Sequence, residues 1–465
     1  MRPAFRRALI VTVIVLIPVV IHGVWDQIEA TRYAREIAAI AARGEPVSLR
    51  DRTRPLPTSD EQRAARLYAA AATLTEWKHR DDPLLYSRER DVDKAFESGS
   101  AVQVLDKLRR EYVDGEPALD LLSQASALPF RGFGPIGGIT GFSAFWLADL
   151  SALNCLHVDA LTAERDSPGA ANALMLSIRL QRTMRDVIPR SIATRRLYGS
   201  LRLLLAFAPP DSATLLKLQQ AFASLPDSDD IALQLENQRA RLLGDTFWPY
   251  PPAESPWMVR LKNPEFRRGA AEGAEFVVFR PWYTHVVREE FAPYADAIRI
   301  AREPWPQKVD DATAMERKAQ GTLQSDEAHP LLARVPGFSF PHGVTVFLWL
   351  PSYLAEAGLD LTMRRTALGA LAAERYRRDH GGEPPNSLDA LVPAYLGHVP
   401  IDPYSGTMLK YRRDADSYVV YGVDANRTDD GGVLYGFASG NLQRTTPSGS
   451  MPRDIGIRVP LIAKR

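Results

Sequence analysis

The chain has 465 residues, enough for about two to four domains at ~100–200 residues each, so length sets no limit on core formation. Lys and Arg number 57 against 56 Asp and Glu, which leaves a net charge of +1, and 45% of residues are hydrophobic. That balance excludes a disordered or collagen-like chain and a strongly basic nucleic-acid binder, and the single Cys excludes an internal disulfide framework.

At the N-terminus, Arg2, Arg6 and Arg7 precede an apolar run, Ala8–Val24, that only Thr12, Pro18, His22 and Gly23 interrupt. As a helix this run rises about 25 Å against a hydrocarbon core of ~30 Å, and Trp25 is placed to lengthen it at an interface. The expectation is a single transmembrane helix, an uncleaved anchor (1–25) rather than a cleaved signal, because small residues at both positions of a cleavage site are hard to find near Ile21–Asp26. The arginines ahead of it keep the N-terminus cytoplasmic, which makes the membrane a partner and predicts a single-pass inner-membrane protein with its bulk periplasmic.

Thr31–Arg43 continues as a helix that Gly44 ends, and a proline-bearing tether completes 26–59. A helical-hairpin domain is expected over 60–246, with Asp60 as a possible first cap and a second apolar face at Val102, Leu105 and Leu108. Segments near 145–165, 170–187, 190–208, 211–224 and 228–243 are separated by Ser167-Pro168-Gly169, Pro189, Pro209-Pro210 and Pro226. Such spacing predicts a helical-hairpin bundle or an irregular solenoid, loosely tetratricopeptide-like but without a strict repeat. Cys155 and His157, two apart on a helix, point away from each other and read as a buried thiol and a core or edge histidine.

The glycine-rich Pro129–Gly141 lacks the Lys and Ser/Thr of a phosphate loop and reads as a tight ordered turn. The Pro- and Trp-rich 247–350 is expected to be a connector packed by its aromatics. His285 with Glu289-Glu290, and Asp310-Asp311, make no zinc motif and read as solvated faces pairing with Arg280, Arg288, Arg299 and Arg302. His329 and His342 sit beside prolines without a third ligand.

The last region, 351–435, is a long helix followed by a small α+β module with a short antiparallel hairpin, and 436–465 is a tail in which Asp454–Leu461 can add an edge strand. The helix runs from Ser352 to Asp379 and stops at Gly381-Gly382; Asn386 or Ser387 is expected to cap a short helix. Asp402–Gly406 then turns into a strand at Leu409–Arg412, and a second strand, Tyr418–Val423, leads into the acidic Asp424–Gly432. Between Leu368 and Gly432 this order resembles the C-terminal part of the major, G-type pseudopilins of type II secretion systems: an E-R-Y-R-x-D-H-G helix end, a P-x-S-L-x-A-L-V segment, a D-P-Y-S-G turn, a hairpin and an acidic loop. The resemblance implies a calcium site in that loop, with Asp424, Asp429 and Asp430 on the family's carboxylates and Tyr421 on a carbonyl donor. Asn426 adds an amide oxygen, and a hard cation takes six to eight oxygens at about 2.3–2.6 Å.

Met1–Val24 lacks a pseudopilin processing site, so the segment reads as a recruited module. The fold expected is therefore mostly α, and the function a membrane-anchored, extracytoplasmic binding or envelope-assembly protein with a calcium-stabilised module. No catalytic residue is named, and nucleic acid is not a partner. A secretion-system-associated assembly factor and an extracytoplasmic hydrolase, its Asp and His residues meeting in a cleft, are the alternatives.

Overall fold

The computed structural model describes residues 3–48, 57–79, 95–96, 98–112, 116–130, 144–184, 187–226, 231–244, 281, 284–285, 288, 293–326, 343–434 and 454–461. Its helices are α1 (Pro3–Ala42), α2 (Ser59–His79), α3 (Ala101–Tyr112), α4 (Glu116–Ser126), α5 (Ala144–Ala163), α6 (Ser167–Gln181) and α7 (Val187–Phe207). They continue with α8 (Ser212–Ala223), α9 (Ile231–Gly244), α10 (Gln307–Asp326) and α11 (Gly343–Asp379), and residues 293–302 are also helical. The strands are β1 (Lys410–Arg413), β2 (Ser417–Gly422) and β3 (Ile455–Pro460).

The chain forms two compact units that are each discontinuous in sequence, where the sequence reading drew consecutive segments. One holds Met1–Arg54, Ala232–Glu303 and Asp310–Pro351; the other holds Pro55–Ile231, Pro304–Val309 and Ser352–Arg465. Pro351 lies inside α11, where its missing N–H removes one rung of the helical ladder, and the division between units falls at this residue.

In the first unit α1 is a single helix of 40 residues that Gly44 ends in the left-handed region, φ 71°. Ion pairs tie its C-terminal half to its own unit. Glu29, buried, accepts from Arg32 at 3.2 Å and from Arg288 at 3.1 Å, with His285 Nδ1 at 3.5 Å. Glu45 gathers Arg43, Arg239 and Arg302 at 3.2, 2.8 and 3.3 Å. Burial works against the Glu45 charge, but Arg43 and Arg239 outweigh it and hold the carboxyl below its usual range.

The membrane expectation is corrected here: among the described residues no helix is long and apolar enough to cross a membrane. The side chains of α1 are described from Leu16 on, so those of the first part of the expected anchor lie outside the described residues. From Leu16 the apolar run ends at Trp25, a rise of about 15 Å or half a hydrocarbon core, before Asp26, Glu29, Arg32 and Arg35. Nothing supports the transmembrane helix, signal-anchor or single-pass inner-membrane placement built on that segment. What the described part of α1 carries instead is a row of exposed apolar side chains from Leu16 to Ile28.

The second unit is a helix bundle with a three-stranded sheet. Helix α5 packs on α2, α3, α6 and α7, and this central position distinguishes a bundle from a solenoid in which each repeat touches only its sequence neighbours. Local chemistry sets the helix starts. Thr58 and Glu61 form a reciprocal capping box at 2.9 and 3.2 Å, so the cap of α2 lies ahead of Asp60. Asp166 caps α6 through the Gly169 N–H and Asp211 caps α8 through the Thr214 N–H. Pro189 falls in the first turn of α7, where a missing N–H leaves no helical bond unmade, and so does not separate helices as expected.

The sheet is an antiparallel meander in the order β1-β2-β3, with Tyr411 opposite Val420 and Val420 opposite Ile457. The whole of β2 is buried, and β3 is the edge strand read at Asp454–Leu461. One core runs from Cys155, Leu174 and Leu201 in the bundle through Leu371 of α11 to Val420 and Ile457 in the sheet.

Candidate functional site

The C-terminal half of α11 and strands β1 and β2 hold residues on which the resemblance rests, and several of them make specific contacts. Glu374, with no exposed surface, accepts two bonds from Arg377 Nε at 3.0 Å and one from Nη2 at 2.7 Å. Its Oε1 also accepts from the Tyr418 hydroxyl of β2 at 2.7 Å, which pins helix to sheet. Burial pushes the Tyr418 phenol far above its ordinary value, and the neighbouring Glu374 charge adds to this. Tyr376 stacks on His380 at 3.7 Å, and Tyr395 donates to Asp379 at 2.9 Å. Gly381 and Gly382, at φ 69° and 102°, then end the helix, and the Gly382 N–H closes on the Arg377 carbonyl at 2.7 Å.

The connecting segment departs from expectation at one point. Asp389–Leu391 is a 3-10 turn without a side-chain cap, and Asn386 instead accepts from Arg413 at 3.3 Å. The following turn is organised by Asp402, whose buried carboxylate receives the N–H groups of Tyr404, Ser405 and Val423, each at 3.2 Å, and the Ser405 hydroxyl at 2.6 Å. Tyr404 reaches back to the Ala355 carbonyl at 2.6 Å. Its ring crosses Gly358, where a Cβ would lie 2.5 Å from it, and a Cβ on Gly369 would meet Val420 at 2.9 Å. These glycines stand about three helical turns apart on one face of α11 and let the sheet approach the helix backbone. On its outer side Tyr404 meets Trp305 edge-on at 5.8 Å, while Arg427 donates to the Pro306 carbonyl at 3.1 Å.

The acidic loop leaves β2 and is closed by contacts from both neighbouring strands. Asp429 Oδ2 pairs with Lys410 Nζ of β1 at 3.0 Å, and its Oδ1 accepts from the Tyr421 hydroxyl at 3.2 Å and the Gly431 N–H at 3.0 Å. Desolvation opposes the Asp429 charge, but Lys410 and Gly431 outweigh it and hold the carboxyl below its usual range. Burial pushes the Tyr421 phenol up to about 12, and Asp429 adds to the shift. Asp430 Oδ2 accepts from the Asn426 amide at 3.3 Å, and Asp424 Oδ1 from the Ala425 N–H at 2.7 Å.

From the start of β3, buried Asp454 accepts the Gly432 N–H at 2.7 Å and the Asp430 N–H at 3.3 Å. Burial raises the Asp454 carboxyl, these two N–H groups work against that, and the charges of Asp429 and Asp430 reinforce it.

These donors bear on the calcium expected here. Asp424, Asn426, Asp429 and Asp430 do share one loop, with Tyr421 on the strand before it, but the loop side chains accept from N–H, hydroxyl and ammonium donors, and Tyr421 itself donates to Asp429. Among the described residues no group of three or more acidic, His or Cys side chains is placed to hold a metal ion. The set present does not fit a calcium cage, because an ammonium already stands against the central carboxylate. Lys410 and Asp454 escaped sequence reasoning; the signal for Asp454 was its place at the head of the predicted edge strand.

A second cluster was also missed. Asp360 of α11, wholly buried, receives Arg190 Nε at 3.1 Å, the Thr194 hydroxyl at 2.5 Å and Arg364 Nε at 3.1 Å. One turn away, Glu356 receives the Ser191 hydroxyl at 2.5 Å and Arg195 at 2.8 Å. This layer joins α7 to α11, and its only sequence signal was charge at positions where helical periodicity called for apolar residues.

The remaining candidates fall apart spatially. Cys155 is a buried thiol pushed up to about 12 by desolvation, its sulfur 3.6 Å from the Ser177 hydroxyl, and His157 lies on the same helix. His285 belongs to the Glu29 ion-pair group of the first unit and is partly exposed. Arg299 pairs at the surface with Asp296 and Glu303, neither of them among the carboxylates expected as its partners. Arg280, Glu289, Glu290, His329 and His342, the loop 131–141 and most of the Trp-rich connector lie outside the described residues. No family model, curated protein or solved structure matches the chain.

Proposed function

We propose that the chain is a non-enzymatic binding or assembly protein that works through a pseudopilin-like module at the end of α11. The observation that carries this reading is the Glu374–Tyr418 contact, in which the signature helix end is bonded to the central strand of an antiparallel sheet following it in the order the resemblance implies. The carboxylates buried around this core, Asp360, Glu374, Asp402 and Asp454, each hold arginine, hydroxyl or backbone donors, as a scaffold requires.

Partner contact is assigned to the rim of the module, where Ile401, Met408 and Val433 are large, apolar and exposed at 43%, 58% and 53%. Ile401 and Met408 bridge each other across the Asp402 turn. The resemblance makes a secretion-system component the partner class.

A photo-crosslinking residue placed at Met408 in the full chain, expressed in its own host, tests this. The expected result is a discrete adduct whose second member is an assembly protein of that class, absent when the probe is moved to exposed Ala415. Identical labelling from the two positions refutes the assigned surface. Turnover of an ester, peptide or glycoside substrate by the purified chain, abolished by a single Asp or His substitution, overturns the non-enzymatic reading itself.

A further inference from the structure

The loop after β2 concentrates negative charge. Asp424, Asp429 and Asp430 occupy one turn, and Asp454 is fixed below them with both oxygens on loop N–H groups. Carboxylates crowded in this way oppose folding unless positive charge is brought to them.

That charge comes from β1. Lys410 Nζ lies 3.0 Å from Asp429 Oδ2. Arg412, two residues on and therefore on the same face of the strand, donates to the Gly431 carbonyl and pairs with Asp414 at 2.9 Å. Strand register maintains the arrangement, since Lys410 is opposite Tyr421, whose own hydroxyl donates to Asp429.

We infer that Lys410, with Arg412 beside it, is the resident cation of this loop, and that the loop closes without calcium. A calcium ion at about 2.3–2.6 Å from Asp429 Oδ2 would share that oxygen with the ammonium and meet its charge at short range. One oxygen of Asp424 already accepts from the Ala425 N–H and one of Asp430 from the Asn426 amide. The inference stands on this geometry and does not depend on the partner surface proposed above.

Amide hydrogen exchange of the full chain, followed in peptides covering 424–434, tests it in chelator and in millimolar calcium. Wild-type exchange is expected to be the same in both. Lys410→Met is expected to exchange about two- to fivefold faster in the loop, as loss of one exposed ion pair implies, and Lys410→Arg to stay near wild type. Protection of the wild-type loop by calcium overturns the inference, as does a Lys410→Met loop that exchanges at the wild-type rate. Should Lys410→Met fail to fold, the wild-type calcium comparison and Lys410→Arg still decide the matter.

Discussion

Helix α11 is fastened by two different kinds of contact within about four turns. Toward α7 it presents Glu356 and Asp360, each taking charged and hydroxyl donors in a buried layer; toward the sheet it presents Gly358 and Gly369, over which Tyr404 and Val420 pack. The ionic layer has a desolvation cost close to its Coulombic gain, so its net contribution is small, but removing one partner strands a charge. The glycine face works by proximity and fails by overfilling. The first contact therefore specifies which helix lies opposite, and the second specifies how near the sheet comes.

The sharpest way to break this comparison is Asp360→Ala, which leaves Arg190 and Arg364 buried against each other. Its expected cost is about 3–5 kcal/mol, read as a lower denaturant midpoint, whereas replacing the whole trio with apolar residues of similar volume should recover most of the loss. If Asp360→Ala is neutral, the layer does not hold the helices.

Tyr418→Phe removes one of the bonds to buried Glu374 and leaves Arg377 in place. About 1.5–3 kcal/mol is expected, the range for a hydrogen bond to a charged group, with the sheet exchanging faster than the bundle.

Gly358→Ala tests the other face through its sign. In an ordinary helix interior this change stabilises by about 0.5–1 kcal/mol; here the added carbon meets the Tyr404 ring, and a loss of about 1–3 kcal/mol is expected. Combining it with Tyr404→Leu should relieve part of that loss, and strict additivity would show that the ring is not the obstacle.

The smallest expected effect is a pH dependence of the acidic loop. The Asp429 carboxyl is lowered in the folded chain, so its contribution is present above the ordinary carboxylate value of 3.8 and fades as pH falls through the lowered one. Asp454 is raised, so its contribution is complete below that ordinary value and is lost as pH rises through the raised one. Loop exchange, corrected for the intrinsic rate, should therefore show declining protection just above the ordinary carboxylate range. A curve rising throughout that window would contradict the buried placement of Asp454.

The helix end at Gly381-Gly382, the turn at Asp402–Gly406 and both strands of the hairpin could be read from the sequence because each depends on residues within a few positions. The same holds for the caps, yet even there the reciprocal Thr58–Glu61 pair displaced Asp60, and Arg413 drew Asn386 away from capping. The acidic loop was legible as a cluster but not in its pairing. A list of carboxylates says nothing of Lys410 on the neighbouring strand, or of Asp454, which arrives after a long stretch of chain. The membrane expectation failed on length, since among the described residues the apolar side chains of α1 from Leu16 give way to charge at Asp26, too short a run to cross a hydrocarbon core.

The sequence by itself determined the helix end at Gly381-Gly382 and the two hairpin strands, because those limits follow from left-handed glycines and local alternation that act over a few residues. Tertiary structure alone decided that Asp360 lies between Arg190 and Arg364, that Glu374 meets Tyr418 and that Lys410 closes on Asp429. Those pairings join residues on separate elements, and which charge faces which depends on how whole elements pack, something no local periodicity encodes.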